Sequence, residues 1–365
     1  MKIGILTYHR ALNYWAVLQT YATYHILKKK WHEVEIIDYY PSEQLIFYSI
    51  NPFHVFRRKD YWLREKITKL LLWILSFPIK FLRKKKFNKF LKKYLLINSR
   101  VKYSKWDDIK DNCDLYIYGS DQIWWYDNFL SNSWFSEVYW GKFPISKKKK
   151  ISYAASMGKI SLNKEREAYI KKYILNFNSI SVRESRLKLT LNKITNIKVE
   201  IVLDPVFLLS KNEWREQFNL KKNKKKYVLL YDFHGSKLAE EVAQKMAKKK
   251  KVKLIKITKN NFFNMYKDPA IENFLELFYN AEYIITTSFH GLAFAINFNK
   301  NFYTIKMDKS EDRIINLLEL INLKHRNLKN NNFWLEEINF QKINIIINYH
   351  KYKSFNFLIK NLIKV

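Results

Sequence analysis

Short apolar runs alternate with longer amphipathic stretches along most of the chain. The first unit consists of the apolar run "KIGILTY", a helical stretch from Asn13 to Lys30 and a second run, "HEVEIIDYY". Apolar runs of this length joined through a helix are typical of parallel β-strands. The start of the chain therefore predicts a Rossmann-like unit ending at Asp38, although no Gly-x-Gly-x-x-Gly sequence supports a dinucleotide site.

Further apolar runs form two series. The first contains "DLYIYGSD", "ISYAAS", "SISVRES" and "VEIVLDPVFLL", and the second contains "YVLLYDF", "VKLIKIT", "EYIITTSF" and "NFYTIKM". A polar stretch at about residues 210–226 separates them and is typical of a linker or a domain boundary. The pattern predicts an α/β protein with two Rossmann-like domains facing each other across a cleft, spanning residues 1–209 and 210–339, and a helical tail at 340–365.

A basic, aromatic segment at about residues 56–96 interrupts the first domain. Its longest apolar run, Leu70 to Ile79, has ten residues, whereas a membrane-spanning helix needs about 20. Basic residues interleave with Trp, Phe and Leu, as in amphipathic segments at a membrane interface. The alternative is a pair of helices that pack their apolar face on the domain and leave the lysines in water. The two interpretations are compatible, since a packed segment can also contact a membrane surface.

Charge and cysteine content narrow the possible partners. Lys and Arg number 67 against 33 Asp and Glu, a formal charge of +34, which suits nucleic acid, an anionic membrane or phosphorylated substrates. The abundance of Lys, Asn and Ile equally indicates a nucleotide-composition bias. No nucleic-acid-binding motif accompanies the charge, so nucleic acid is not an expected partner. The single cysteine, Cys113, and a first strand in place of a signal peptide predict a cytoplasmic protein.

The stretch "IITTSFHGLAFAI" predicts an anion site. Its strand passes through Thr287 and Ser288 into a helix whose first turn holds His290 and Gly291. This arrangement brings backbone N–H groups, two hydroxyls and an imidazole to the carboxyl edge of a parallel sheet. The alternative is an ordinary helix cap with a surface histidine.

Three other strand ends carry chemistry-bearing side chains. In "YIYGSDQIWW", Ser120 and Asp121 follow a strand, and Asp121 suits a general base, a sugar ligand or a helix cap. Arg183 ends "SISVRES" and offers a fork to a carboxylate or phosphate, unless it pairs with Glu184 or another acid. Asp204 in "VLDPVFLL" is interpreted as structural, because Asp-Pro often shapes a turn.

Seven segments in order resemble the motifs of the bacterial polysaccharide pyruvyl transferases: "TYHRALNYWAVLQTYA", "YGSDQIWW", "ISYAASMGK", "SVRES", "VLDPVFLL", "NAEYIITTSFHGLAFAI" and "DRIINLLEL". The resemblance runs from Met1 to about Leu320. It implies a GT-B-like fold and transfer of a pyruvyl group from phosphoenolpyruvate, as co-substrate, onto two sugar hydroxyls to form a ketal. It also implies an acceptor that is a cell-surface glycan or its polyprenyl-diphosphate-linked precursor, which would place the protein peripherally on the inner face of the membrane. No metal or other cofactor is expected.

The resemblance also divides the candidate site residues between two substrates. The expected ligands of phosphoenolpyruvate are Arg183, Ser288, His290, Gly291 and Arg313, the last equally suited to a helix surface. The expected ligands of the acceptor are Asn13, Tyr14, Trp15, Gln19, Ser120, Asp121 and Trp125. His290, charged near neutral pH, is the expected acid that protonates the enol carbon or the departing phosphate, and Asp121 is the expected base.

Two tryptophans depart from the family pattern. Trp15 stands where the family usually has glycine, and Trp125 stands where it commonly has asparagine. Three interpretations follow: the indoles stack on sugar rings and alter acceptor choice, they block the site and leave a fold without pyruvyl transfer, or Trp15 packs in the core.

Two other functions remain open at this point. A GT-B glycosyltransferase using a nucleotide sugar would need a carboxylate near "TTSFHG", where the sequence offers none close by. A non-catalytic basic protein that binds a membrane or a glycan would need no site chemistry at all. The oligomeric state is not predicted.

Overall fold

The computed structural model describes residues 1–30, 32–41, 63–97, 101–105, 107–124, 137–143, 148–158, 162–258, 269–307, 311–333 and 335–363. The strands in these ranges are β1 (Lys2–Leu6), β2 (Glu33–Ile36), β3 (Leu115–Tyr118), β4 (Lys149–Ala155), β5 (Ser179–Val182), β6 (Val199–Ile201), β7 (Tyr227–Asp232), β8 (Lys253–Thr258), β9 (Tyr283–Thr286), β10 (Asn301–Ile305) and β11 (Asn327–Leu328). The helices are α1 (Tyr14–Lys29), α2 (Leu63–Phe90), α3 (Lys164–Ile174), α4 (Ser185–Ile194), α5 (Lys211–Phe218), α6 (Lys237–Lys250), α7 (Ile271–Asn280), α8 (Phe289–Asn297), α9 (Glu311–Leu320) and α10 (Phe340–Ile363).

The strands form two separate parallel sheets. The first has the order β2-β1-β3-β4-β5-β6 and the second the order β11-β10-β9-β7-β8. Parallel strands covered on both faces read as continuous apolar runs, and all four residues of β3 and of β9 are buried. The predicted α/β architecture of two Rossmann-like domains in a GT-B-like arrangement is confirmed.

Helix α1 lies between the two domains. Asn13 caps it, its side-chain oxygen accepting a hydrogen bond from the Trp15 backbone N–H. Nearly every residue of α1 is buried, because one side packs on the first sheet and the other on the second domain. On the second side, Tyr14 stacks on Phe274 with ring centroids 4.0 Å apart, and its hydroxyl donates to the Pro269 carbonyl at 2.8 Å. The domains therefore share one continuous apolar core.

The region predicted as a linker contains a helix. In α5, Ser210 and Glu213 form a capping box, and Trp214 is fully buried. The stretch at 210–226 lies between the last strand of the first sheet and the first strand of the second, and its first part is helical. The domain boundaries at 209 and 339 stay predictions.

The tail and the basic segment both contain long helices. Helix α10 returns to the first domain, where Ser354 Oγ accepts from the Leu203 N–H at 2.8 Å and Asn361 Oδ1 accepts from Ser179 Oγ at 2.7 Å. The described part of the basic segment, residues 63–96, contains the long helix α2, continued by a π-helical turn over Leu91–Leu95. The alternative of a pair of helices involves residues outside the described ranges and stays a prediction. Within the described ranges, no helix combines the length and apolarity needed to cross a membrane.

Candidate functional site

Polar side chains from both domains meet where several parallel strands end. Asp121 follows β3, Arg183 directly follows β5, and Asp204 follows β6 in the first domain. His290 comes from the first turn of α8, just after β9 of the second domain. Ligands of open α/β sheets bind outside the carboxyl ends of the strands, so this junction is the candidate site.

Arg183 is the centre of the junction and lies among three carboxylates. Its Nη1 donates to Asp204 Oδ2 at 2.5 Å, and its Nε donates to Glu184 Oε1 at 3.3 Å. Its Nη2 lies 3.6 Å from Asp121 Oδ1, which is ion-pair range but beyond a hydrogen bond. The expected pairing with Glu184 is present, but Asp204 makes the shorter contact. Both Arg183 and Asp204 are buried, so each charge needs the other.

His290 completes the junction from the second domain. Its Nε2 lies 3.6 Å from Asp204 Oδ2. Its ring stacks on the Trp15 indole with centroids 5.1 Å apart and 12° between the planes. The Trp15 indole N–H in turn donates to the Tyr231 hydroxyl at 2.6 Å. Trp15 therefore holds the plane of the His290 ring, and it is itself only 4% exposed.

Buried hydrogen bonds to Gln19 and Thr7 fix the loop that contains Ser120 and Asp121. The Ser120 N–H donates to Gln19 Oε1 at 3.0 Å, and the Thr7 hydroxyl donates to the Ser120 carbonyl at 3.0 Å. A Cβ at Gly119 would lie 2.3 Å from the Tyr153 carbonyl oxygen, so only glycine fits there. Asp121 has φ of 79°, a left-handed conformation that aspartate tolerates better than most residues. These constraints hold the Asp121 carboxylate, which is partly exposed, beside Arg183.

The start of α8 has some of the predicted features of an anion site, namely uncapped N–H groups, but not a free Thr287 hydroxyl. A Cβ at Gly291 would lie 2.3 Å from Thr286 Oγ1, so glycine at 291 is needed for close packing on β9. Ser288 is the N-cap residue, yet its side chain makes no capping hydrogen bond. First-turn N–H groups of α8 thus lack a side-chain cap and suit an anion. The Thr287 hydroxyl is already used, donating to Asp232 Oδ1 at 2.7 Å.

Arg313 from α9 adds a second guanidinium. Its Cζ lies 5.8 Å from the centroid of the Phe289 ring, and the Arg183 Cζ lies 5.5 Å from the same centroid. Arg313 pairs with no carboxylate among the described residues, whereas its neighbour Asp312 pairs with Arg186. Burial and the charge of Arg183 lower the pKa of Arg313, but a guanidinium remains charged at physiological pH. The junction therefore has a cation whose donors are open.

The protonation states follow from burial and the neighbouring charges. Burial alone would raise the pKa of Asp204, but His290 and Arg183 outweigh it and hold that pKa well below its usual value. Burial alone would lower the pKa of Arg183, but Asp204, Glu184 and Asp121 raise it. Burial lowers the pKa of His290 in spite of Asp204. Burial therefore disfavours the charged His290 expected near neutral pH, and the assignment of His290 as the acid stays a prediction.

Three buried polar atoms at the junction have no hydrogen-bond partner among the described residues: Arg183 Nη2, His290 Nε2 and Glu184 Oε2. An unsatisfied buried donor or acceptor costs roughly 1–3 kcal/mol and calls for an explanation. A ligand that accepts from Arg183 and contacts His290 would satisfy two of the three.

The predicted acceptor residues have differing places. Asn13 is exposed at the cap of α1, whereas Tyr14, Trp15, Gln19 and Ser120 are buried. Burial of Tyr14, Trp15 and Gln19 disfavours their direct contact with a sugar, and it favours the interpretation of Trp15 as a core residue. The roles of the acceptor residues stay predictions. Trp125 lies outside the described residues.

Sequence reasoning missed two groups. Asp204 was interpreted as a turn residue, and it does accept from the Val206 N–H at 3.1 Å, but it also holds Arg183. A second buried cluster joins His9 Nε2 to Asp38 Oδ1 at 2.9 Å and binds Arg10 to the same carboxylate. Position after a strand was the signal available for both. Within the described part of the chain, no three His, Cys, Asp or Glu side chains group as a metal site requires.

The chain is thus a two-domain α/β protein with a buried cluster of charged side chains between its domains. The sequence model of the family "Polysaccharide pyruvyl transferase" matches residues 13–309, most of the chain, and the chain belongs to that family. The family resemblance stated from the motifs is confirmed. Membership supports a transferase that acts on a glycan.

Solved structures with a similar arrangement include the UDP-GlcNAc 2-epimerase from Methanocaldococcus jannaschii, with 14% identity, a TM-score of 0.44 and coverage of 95% of this chain and 92% of that chain. A second structure of the M. jannaschii enzyme, in complex with UDP-GlcNAc and UDP, shows 14% identity, a TM-score of 0.38 and coverage of 96% and 100%. No curated protein matches the sequence significantly.

The lowered pKa of His290 predicts a specific acid sensitivity. In the unfolded chain its pKa is about 6.5, so below that pH the unfolded state binds more protons than the folded state and stability falls as pH falls. We expect the free energy of unfolding, followed by urea denaturation, to drop less steeply below about pH 6.5 in His290→Gln than in the wild type. The exposed His234→Gln is the control and should keep the wild-type slope. Equal slopes in all three proteins would contradict a lowered pKa of His290.

Proposed function

We propose that the junction binds phosphoenolpyruvate and transfers its pyruvyl group onto two hydroxyls of a glycan acceptor, forming a cyclic ketal. The observation that carries the proposal is the set of open cationic donors at a buried junction, Arg183 Nη2 and the guanidinium of Arg313, beside the uncapped start of α8. Family membership supports the reaction class.

The donor side of the proposal rests on charge. Phosphoenolpyruvate carries a carboxylate and a phosphate, and guanidinium groups bind both with two parallel hydrogen bonds. The Cζ atoms of Arg183 and Arg313 lie 5.5 and 5.8 Å from the centroid of the Phe289 ring, and Phe289 is the first residue of α8. The arginines thus suit one anionic group each, while the first-turn N–H groups of α8 and the Ser288 hydroxyl supply further donors.

Asp204 gives Arg183 and His290 their positions in this scheme. Its Oδ2 bonds Arg183 and lies within ion-pair range of His290. One carboxylate therefore sets the spacing of the anion ligand and the imidazole across the two domains. Asp204 acts as a positioning residue because its own oxygens are occupied.

The proton transfers are assigned to His290 and Asp121. A bound anion of high charge raises the pKa of a nearby imidazole, so His290, whose pKa burial lowers in the free protein, would hold a proton once phosphoenolpyruvate binds. His290 would protonate the enol C3 while Asp121 accepts the proton of the first sugar hydroxyl, which attacks C2. His290, then neutral, would take the proton of the second hydroxyl and pass it to the phosphate as that hydroxyl displaces phosphate from C2 and closes the ketal.

The nucleotide-sugar alternative receives one new observation and is still the weaker account. Asp232 lies within hydrogen-bond distance of Thr287, so the statement that no carboxylate is near "TTSFHG" was wrong. That carboxylate also accepts from the His234 and Ser236 N–H groups at 2.8 and 2.7 Å. With three hydrogen bonds in place, Asp232 shapes the loop before α6 and has little capacity left for a ribose.

Arg313→Gln tests the donor site without breaking a buried ion pair. Loss of one charged hydrogen-bonding group costs roughly 1.5–3 kcal/mol, so we expect phosphoenolpyruvate to bind about ten- to a hundredfold more weakly, measured by isothermal titration calorimetry. Arg186→Gln is the matched control, because Arg186 is an exposed arginine that pairs with Asp312 at 3.1 Å. Unchanged affinity in Arg313→Gln would remove Arg313 from the site.

His290→Asn tests the proposed proton transfer. Mass spectrometry of lipid-linked and aryl glycosides incubated with phosphoenolpyruvate should identify an acceptor that gains a pyruvyl ketal. With that acceptor, phosphate release by His290→Asn should fall about 10²–10⁴-fold, the usual contribution of a positioned acid or base. The exposed His234→Asn should keep the wild-type rate. A rate for His290→Asn equal to that of His234→Asn would refute the assignment of His290.

A further inference from the structure

Helix α2 has three exposed apolar side chains on one face. Ile74 is 53% exposed and Phe81 is 50% exposed. Phe77, at 39% exposed, stacks on Phe81 with ring centroids 6.0 Å apart. Positions three, four and seven residues apart share one face of a helix, so these three side chains form a single stripe. We call Ile74, Phe77 and Phe81 the apolar stripe of α2.

The opposite face of the same helix is anchored in the core. Phe87 and Phe90 are each 1% exposed. The Arg83 Nη2 donates to the Leu12 carbonyl at 2.9 Å, and its guanidinium lies over the Tyr14 ring at 5.4 Å. Because this face is fixed on the start of α1, the apolar stripe has a fixed direction relative to the interdomain junction.

The apolar stripe lies in a basic stretch of the sequence. Thirteen Lys and Arg residues and no acidic residue occur between Glu65 and Asp107. Lys84 and Lys85 fall three and four residues after Phe81 and so continue its face of the helix, and Lys85 is exposed. An aromatic stripe followed by lysines matches a membrane interface, where rings enter the acyl boundary and ammonium groups meet anionic headgroups.

We propose that the apolar stripe and the following lysines of α2 dock the protein on an anionic phospholipid surface. Charge complementarity favours a lipid surface, because the apolar side chains lie within a positively charged segment and the phospholipid headgroups are negatively charged. Pro78 lies inside the helix, and α2 is among the helices that cannot span a bilayer, so the helix lies on the surface. The proposal deepens and rests on the proposed function, because it places the acceptor-side turn at Leu12 to Tyr14 near a surface where a lipid-linked glycan would be presented.

The test is sedimentation of the full chain with vesicles, without phosphoenolpyruvate or glycan. We expect the wild type to pellet with vesicles of equal parts phosphatidylglycerol and phosphatidylcholine and to stay in the supernatant with phosphatidylcholine alone. Ile74→Ser/Phe81→Ser and, separately, Lys84→Gln/Lys85→Gln should each weaken binding by about tenfold or more. The lysine pair keeps the test decisive if the apolar pair perturbs folding, which circular dichroism reports.

Matched controls separate docking from general stickiness. Leu189→Ser/Ile345→Ser removes two apolar side chains that are 69% and 72% exposed elsewhere. Lys224→Gln/Lys225→Gln removes two adjacent exposed lysines of the second domain. Both controls should pellet like the wild type. Failure of the wild type to bind anionic vesicles, or equal losses in the test and control pairs, would overturn the proposal. Because no reaction is measured, either result leaves pyruvyl transfer to be judged separately.

Discussion

Arg183 and Asp204 form a buried ion pair at the edge where the first sheet ends. Breaking such a pair by removing one partner usually costs about 3–5 kcal/mol, whereas well-packed apolar residues in its place are often neutral or better. Stability alone therefore gives little reason for the pair. Its geometry gives a better one, because the same Asp204 oxygen that bonds Arg183 lies 3.6 Å from His290 of the other domain. The spacing of the two domains' polar groups depends on this carboxylate.

The aromatic core between the domains gives that carboxylate a fixed frame. Trp15 contacts Tyr231, Phe274, Phe278 and Phe294 of the second domain as well as His290. Aromatic pairs at such distances contribute roughly 0.5–1.5 kcal/mol each beyond area burial. A glycine at position 15, usual in the family, would leave this space to be filled differently. The tryptophan therefore binds α1 to the second domain and sets the orientation of the His290 ring in one packing arrangement.

Local patterns predicted the elements well and the contacts between them less well. An apolar run that predicts a strand spans only a few residues, and the strands before Arg183 and up to Thr286 lie where such runs occur. The pairing of Asp204 with His290 joins residues 86 positions apart in different domains, which no local pattern contains. Asp-Pro at 204 therefore read as a turn alone. The lowered pKa of His290 also depends on its burial, to which Trp15 of the other domain contributes. For α5, by contrast, a local signal was present: Ser210 and Glu213 have the spacing of a capping box. It was missed because the lysine-rich stretch around it was interpreted as a linker.

A crystal structure of the protein with phosphoenolpyruvate bound is the most direct test of the interdomain junction as the donor site. The account predicts carboxylate or phosphate oxygens within hydrogen-bond distance of Arg183 Nη2 and Arg313, and His290 Nε2 facing the ligand. The Arg183–Asp204 pair should stay intact, because Arg183 bonds Asp204 through Nη1 and would bind the ligand through Nη2. A ligand bound elsewhere, with Arg183 Nη2 and His290 Nε2 still unpaired, would contradict the account.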